Sequence, residues 1–244
     1  MEYQVDNIYN ENCYQAIKSI PDKSIDLVYT DIPYDIVGNG GGAFGTKNRD
    51  YHKEYEKVSF GFDYSILEEY IRVCKNINVM IWCNKAQILP IMKFFIEKHD
   101  CFFDILCWCK TNPIPTCNNK YLSDIEYCLH FRKNEIIRGK YSNKSKFYVS
   151  PLNTSDKKLF GHPTIKPMEF VKRHILSATD ENAVVLDTFL GSGTTAVACK
   201  ELNRRYIGFE LNEEYFKIAQ ERLNKINQIE KQEIINIFDF IEEV

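Results

Sequence analysis

Ala183-Val184-Val185-Leu186-Asp187-Thr188-Phe189-Leu190-Gly191-Ser192-Gly193-Thr194-Thr195 is the stretch on which the fold turns. Its four leading apolar residues fit a short strand buried on both faces, as in a parallel sheet. Gly191 and Gly193 let the chain turn tightly, take positive φ and pass close to a ligand. Thr194 then opens a helix whose first free N–H groups carry partial positive charge. Glu210 closes the next strand, 19 residues after Gly191. At that spacing a carboxylate accepts both ribose hydroxyls of a bound nucleoside. No Lys follows the glycines, so this is not a phosphate-binding P-loop, and the third glycine of the dinucleotide fingerprint is missing. A nucleoside without pyrophosphate fits better. S-adenosylmethionine is such a ligand, with a sulfonium that aromatic faces and carboxylates favour. The plainer alternative is an ordinary βα turn.

A second stretch ends the same way. Leu27-Val28-Tyr29-Thr30 reads as a buried strand, and Asp31-Ile32-Pro33-Tyr34 closes it with a carboxylate, a rigid turn and an aromatic plane. The exocyclic amine of a nucleobase is a poor nucleophile because its lone pair is delocalised into the ring. Two acceptors on its N–H bonds localise that lone pair. Asp31 offers one and the backbone carbonyl of Ile32 the other, while Tyr34 gives the base a face to stack on. A base in a duplex must be flipped out to reach such a site. Positioning and electrostatics then carry the catalysis, with no cysteine nucleophile. Asp-x-Pro also occurs in plain turns, and it is the neighbouring nucleoside site that favours the chemical reading.

Around these two turns the chain alternates strands and helices. Strands are expected at 4–9, 25–30, 77–83, 102–109, 125–131, 183–186 and 206–209. Helices are expected at 13–20, after an Asp63 cap, at 85–97, after Pro167, at 194–202 and from Glu213 onward. The fold class is therefore α/β, a doubly wound, mostly parallel sheet with helices on both faces. A glycine-rich stretch at 38–61 follows the acidic turn and reads as a long mobile loop, of a length that is usually functional or disordered. At 244 residues, with 44% hydrophobic composition, one domain spanning 1–244 fits.

Nine cysteines without a C-x-x-C pair argue against a zinc or disulfide framework and for buried thiols in a reducing compartment. No metal site is expected. No leader and no membrane-length apolar run is seen, so a soluble, cytoplasmic protein is expected. Net charge is −3, yet residues 131–160 carry eight basic side chains against two acidic ones, leaving the rest at −9. Those eight are Arg132, Lys133, Arg138, Lys140, Lys144, Lys146, Lys157 and Lys158. A basic patch on an acidic body suits contact with a nucleic-acid backbone, and equally describes a solvated lysine-rich loop. His52, His99 and His130 are scattered and read as structural. Trp82 reads as core, with the cofactor pocket as its alternative.

Together these residues resemble the amino-group DNA methyltransferases that use S-adenosylmethionine. The family's catalytic motif, (Asp/Asn/Ser)-Pro-Pro-(Tyr/Phe), is similar to Asp31–Tyr34 except that Ile32 replaces a proline. Its Phe-x-Gly-x-Gly core is matched by Phe189–Gly193, and its His-Pro-Thr-x-Lys-Pro motif by His162–Pro167. Residues 108–113 and 126–131 resemble later strands of the family. The resemblance implies a Rossmann-like methyltransferase fold in the circularly permuted, β-group order of motifs. It implies cofactor contacts from Asn12, Asp31, His162, Thr164, Lys166, Asp187, Phe189, Gly191, Ser192, Gly193, Thr194 and Glu210, with Asn12 standing where relatives often carry Asp. Catalysis falls to Asp31, Ile32, Pro33 and Tyr34. Residues 133–160 take the short target-recognition slot, the insertion in which most of the basic patch lies.

The expected reaction is methyl transfer to N6 of adenine in a short DNA target, Asp rather than Ser at position 31 favouring adenine. N4-cytosine methylation and a non-catalytic DNA-binding relative are the alternatives. C5-cytosine chemistry is disfavoured because no cysteine follows a proline. Protein glutamine methylation is disfavoured by Asp31 and the motif order, and RNA stays open as a substrate. DNA is the expected partner, and a homodimer and a restriction endonuclease are left open as others.

Overall fold

The computed structural model describes residues 3–34, 61–113, 121–152 and 166–242, with side chains as far as Gln228. The strands are β1 (Asn7–Tyr9), β2 (Leu27–Asp31), β3 (Ile77–Cys83), β4 (Phe102–Lys110), β5 (Ile125–Lys133), β6 (Phe147–Ser150), β7 (Val184–Asp187) and β8 (Arg205–Phe209). The helices are α1 (Cys13–Ala16), α2 (Ile66–Val73), α3 (Lys85–Met92), α4 (Met168–Ala178), α5 (Thr194–Glu201) and α6 (Glu213–Glu242). All eight strands form one sheet in the order β1-β8-β7-β2-β3-β5-β4-β6. Among them β5 alone is reversed, pairing antiparallel with both β3 and β4.

Alternation along the central strands builds two cores. Val28, Val79 and Ile81 face Ile17, Leu67, Tyr70 and Phe95 on the side of α1–α3. Leu27, Tyr29, Met80 and Trp82 face Phe170, Ile175, Val197 and Leu223 on the side of α4–α6. Trp82 is fully buried there, and burial of a side chain that size contributes about 1.5–3 kcal/mol. On the other side Phe95 stacks on Phe131 at 4.3 Å.

Two elements depart from expectation. The helix expected over 85–97 is α-helical only to Met92 and continues in wider π turns over Lys93–Lys98. Pro90 withdraws one amide donor from the preceding turn. Within the recognition slot, Phe147–Ser150 forms β6, which adds to the edge of the sheet beside β4. The 38–61 loop lies almost wholly outside the described residues, apart from Gly61. No helix among the described residues is long and apolar enough to cross a membrane.

Candidate active site

β2 and β7 are parallel neighbours, paired Val28 to Leu186. From β2 the chain leaves through α2 to β3 on one side, and from β7 through α5 to β8 on the other. The strand order therefore reverses between them, and a doubly wound sheet opens a crevice at that point. The Asp31 turn and the glycine turn stand at the same end of these two strands. Thr30 and Thr188 hydroxyls bridge them at 3.1 Å, and Tyr70 from α2 bonds Thr188 at 2.6 Å.

The acidic turn is tightly held. Ile32 is buried, and its N–H bonds the Trp82 carbonyl at 3.3 Å. Gln87 Nε2 donates to the Pro33 carbonyl at 2.8 Å. The same Gln87 closes a capping box with Asn84, which orients α3 beneath the turn. Asp31 Oδ2 accepts from the Lys166 ammonium at 2.6 Å, whereas Asp31 Oδ1 is buried without a hydrogen-bond partner among the described residues. Lys166 also meets the Tyr34 hydroxyl at 3.2 Å and Glu126 Oε2 at 2.9 Å. Glu126 is held in turn by Lys110 at 2.7 Å. The ammonium lies 5.0 Å from the Trp82 ring and 5.6 Å from the Tyr34 ring, within cation–π range.

Charge states follow from these contacts. Burial raises the Asp31 carboxyl above its usual value, and Lys166 opposes that rise. Burial alone would lower Lys166, but Asp31 and Glu126 hold it well above the ordinary lysine range. Glu126 is pushed up by burial and pulled down further by Lys166 and Lys110, to about 2. Lys166 and Glu126 are thus an ionised pair beside the Asp31 carboxyl.

In the glycine turn Gly191 has φ +56° and Gly193 φ +84°, the left-handed region open to glycine. A Cβ at Gly193 would stand 2.8 Å from Ala219 Cβ on α6. Arg222 of α6 donates to the Ser192 carbonyl at 2.6 Å and meets Thr194 Oγ1 at 3.1 Å. Glu210 accepts from the N–H of Gly191 and of Asn212, each at 2.7 Å. Asp187 is buried behind the turn and accepts from the Phe189 N–H at 3.1 Å. Burial pushes its carboxyl up to about 7, against the pull of Thr195.

The structure thus gathers Asp31, Ile32, Pro33, Tyr34, Lys166, Asp187, Phe189, Gly191, Ser192, Gly193, Thr194 and Glu210 around one end of the sheet. Asn12 caps α1 by accepting from the Tyr14 N–H at 2.9 Å. His162, Thr164, Lys157 and Lys158 lie outside the described residues. The remaining basic side chains are dispersed. Arg132 pairs with Asp104, Arg138 with Glu135 and Asp180, and Lys133 reaches the His99 carbonyl. Arg132 and Lys133 pair with Asn78 and Ile77, toward the end of β3 away from the Asp31 turn. Lys140, Lys144 and Lys146 are exposed, although Lys146 also contacts Asp104. Sequence reasoning missed Lys110, Glu126, Gln87 and Arg222 as parts of the site. The Asn84-x-x-Gln87 capping box was a readable signal for one of them.

A family model described as DNA methylase, covering N6 and N4 methyltransferases, matches residues 25–221. The chain belongs to that DNA methylase family. It is 29% identical to the Type II methyltransferase M2.LlaDCHI of Lactococcus lactis subsp. cremoris, over 91% of each chain. It is 30% identical to the Type II methyltransferase M.HpaI of Haemophilus parainfluenzae, over 87% of this chain and 72% of that one. Among solved structures, that of the M1.HpyAVI–SAM complex superposes with a TM-score of 0.66 at 28% identity, over 88% of this chain and 98% of that one.

Proposed function

We propose that this protein methylates the N6 amino group of adenine in a short DNA target, with S-adenosylmethionine as the donor. One observation carries the reading most directly. The carboxylate oxygen Asp31 Oδ1 is buried at the strand switch point and has no hydrogen-bond partner among the described residues. An orphaned acceptor of this kind costs about 1–3 kcal/mol unless a ligand satisfies it. An exocyclic amine carries the N–H that it lacks. The carboxyl groups gathered there, Asp31, Asp187 and Glu210, suit a nucleoside bearing a positive charge, and the solved M1.HpyAVI complex supports the choice of cofactor. Bound there, S-adenosylmethionine supplies an electrophilic methyl group.

The chain's own residues would do the rest. Gly191, Ser192, Gly193 and Thr194 present backbone to the nucleoside, with Asp187, Phe189 and Glu210 around it. Asp31 Oδ1 and the Ile32 carbonyl accept the two amine N–H bonds, so the lone pair localises on nitrogen. Tyr34 offers a ring for the flipped base. Gln87, through the Pro33 carbonyl, keeps the Ile32-Pro33 backbone in register. Residues 133–160 would read the target, with exposed Lys140, Lys144 and Lys146 on the phosphates. A restriction endonuclease of matching specificity fits relatives that are named Type II methyltransferases. Labelled-methyl transfer to unmethylated DNA, followed by nucleoside analysis, tests this. N6-methyldeoxyadenosine is expected from the wild type and none from Asp31→Ala. N4-methyldeoxycytidine as the product would move the reading to cytosine, and transfer that survives Asp31→Ala would overturn it.

A further inference from the structure

Asp31 has two oxygens, and the proposed reaction needs one of them free. Lys166 has three N–H donors and lies against Asp31, so nothing in that pair alone stops it from bridging both oxygens. The restraint comes from the other side. Glu126, on β5, draws the same ammonium with a charged contact at 2.9 Å. β5 is separated from β2 by β3, so the ammonium is shared across the sheet between Asp31 Oδ2 and Glu126. Lys110 on β4 fixes Glu126 at 2.7 Å, completing a Lys110–Glu126–Lys166–Asp31 row.

We infer that Glu126 is a positioning residue for methyl transfer: it holds Lys166 on Asp31 Oδ2 and thereby keeps Oδ1 open for the amino group of the target base. The inference rests on the proposed function and adds a residue that lies outside the motif tetrapeptide. Without Glu126 the ammonium would settle between the two Asp31 oxygens, because a doubly contacted carboxylate is favoured over a singly contacted one. The amine would then have to displace it.

Glu126→Gln and Lys166→Met separate this from a merely structural role. Among the described residues, the charged and titratable groups facing Asp31 are Lys166, Glu126 on β5, Tyr34, Tyr29 on β2, Cys83 on β3, Cys128 on β5 and Asp187 on β7. Lys166 is the cation among them. Removing it takes away the main group that lowers the Asp31 carboxyl, Tyr34 being a lesser one, whereas removing Glu126 takes away one that raises it. The two variants must therefore shift the Asp31 titration in opposite directions, up in Lys166→Met and down in Glu126→Gln.

The readout is the 13C carboxyl resonance of Asp31 in aspartate-labelled full-length protein, assigned with Asp31→Asn, together with kcat and KM for methyl transfer. In Glu126→Gln, kcat is expected to fall about tenfold, with KM for S-adenosylmethionine changed less than about twofold. The acid limb of its pH profile moves in step with the resonance. A Glu126→Gln protein that melts like the wild type, keeps its kcat and leaves the Asp31 resonance unmoved overturns the inference. Opposed shifts in the two variants, with a wild-type protein that transfers no methyl group to DNA, overturn the proposed function and leave the Lys166 clamp standing. An unshifted resonance in both variants overturns the clamp, whatever the activity.

Discussion

Gly193→Ala carries the most structural weight for a single methyl group. At φ +84° a residue with a Cβ pays about 1–2 kcal/mol for the left-handed conformation. The added Cβ would lie 2.8 Å from Ala219 Cβ and 3.1 Å from its Cα. A backbone atom so close cannot be rotated away, so the turn or α6 must shift, at a cost of about 1–3 kcal/mol for overpacking. Together the two terms come to about 2–5 kcal/mol, a large share of the roughly 5–15 kcal/mol that a domain commands. Urea unfolding reads this as a lower midpoint at unchanged m-value. A double-mutant cycle with Ala219→Gly then isolates the clash, because it removes the opposing methyl and leaves the φ cost in place. The coupling is expected to favour the double variant by about 1 kcal/mol. A Gly193→Ala protein within about 0.5 kcal/mol of wild type, or a cycle without coupling, would refute this account of the turn.

Three further outcomes follow from the site. Asp187 is raised to about 7 in the folded protein, well above its unfolded value of about 3.9. Between those values the folded state holds a proton that the unfolded state has lost, so stability falls as pH rises through about 4 to 7. Asp187→Asn should therefore raise Tm relative to wild type at pH 8 and not at pH 4, as calorimetry at the two pH values would read. Thr188→Val strips the Tyr70 hydroxyl of its 2.6 Å partner in a fully buried setting. It should cost about 1–3 kcal/mol in urea unfolding, and adding Tyr70→Phe should return part of that. Gln87→Leu frees the Pro33 carbonyl and breaks the capping box. It should lower kcat about tenfold while KM for S-adenosylmethionine stays within about twofold; an unchanged kcat would sever Gln87 from the turn.

The central sheet was readable because its strands are buried on both faces. Val184-Val185-Leu186 and Leu27-Val28-Tyr29 are apolar without interruption, and each ends on a turn rich in glycine or proline. The edge was harder. β6 offers only the three-residue run Phe147-Tyr148-Val149, whose Phe147 and Val149 are exposed, and it is held by pairing with β4. The reversal of β5 was hidden as well, since apolar pattern gives burial and not direction. At the site, the residues on the two turns were legible as local motifs. Glu126 and Lys110 were not, because their roles depend on register: β4 sets Trp108 opposite Glu126, and only the folded sheet brings Lys110 to Glu126 and Glu126 to Lys166 beside Asp31. Lys166 was expected at the cofactor, and its 2.6 Å contact with Asp31 comes from the return of the chain before α4. The basic patch shows what a linear count of charge leaves out. Charge summed along the sequence says nothing of partners, and Arg132 and Arg138 have carboxylates of their own.

A crystal structure of this protein with S-adenosylmethionine bears most directly on the claim that donor and acceptor meet at the tips of β2 and β7. The nucleoside should lie along Gly191–Thr194, with the methyl group turned toward the Asp31 carboxylate and Lys166 still on Oδ2. A cofactor bound elsewhere on the sheet, or one whose methyl group points away from Asp31, would contradict it.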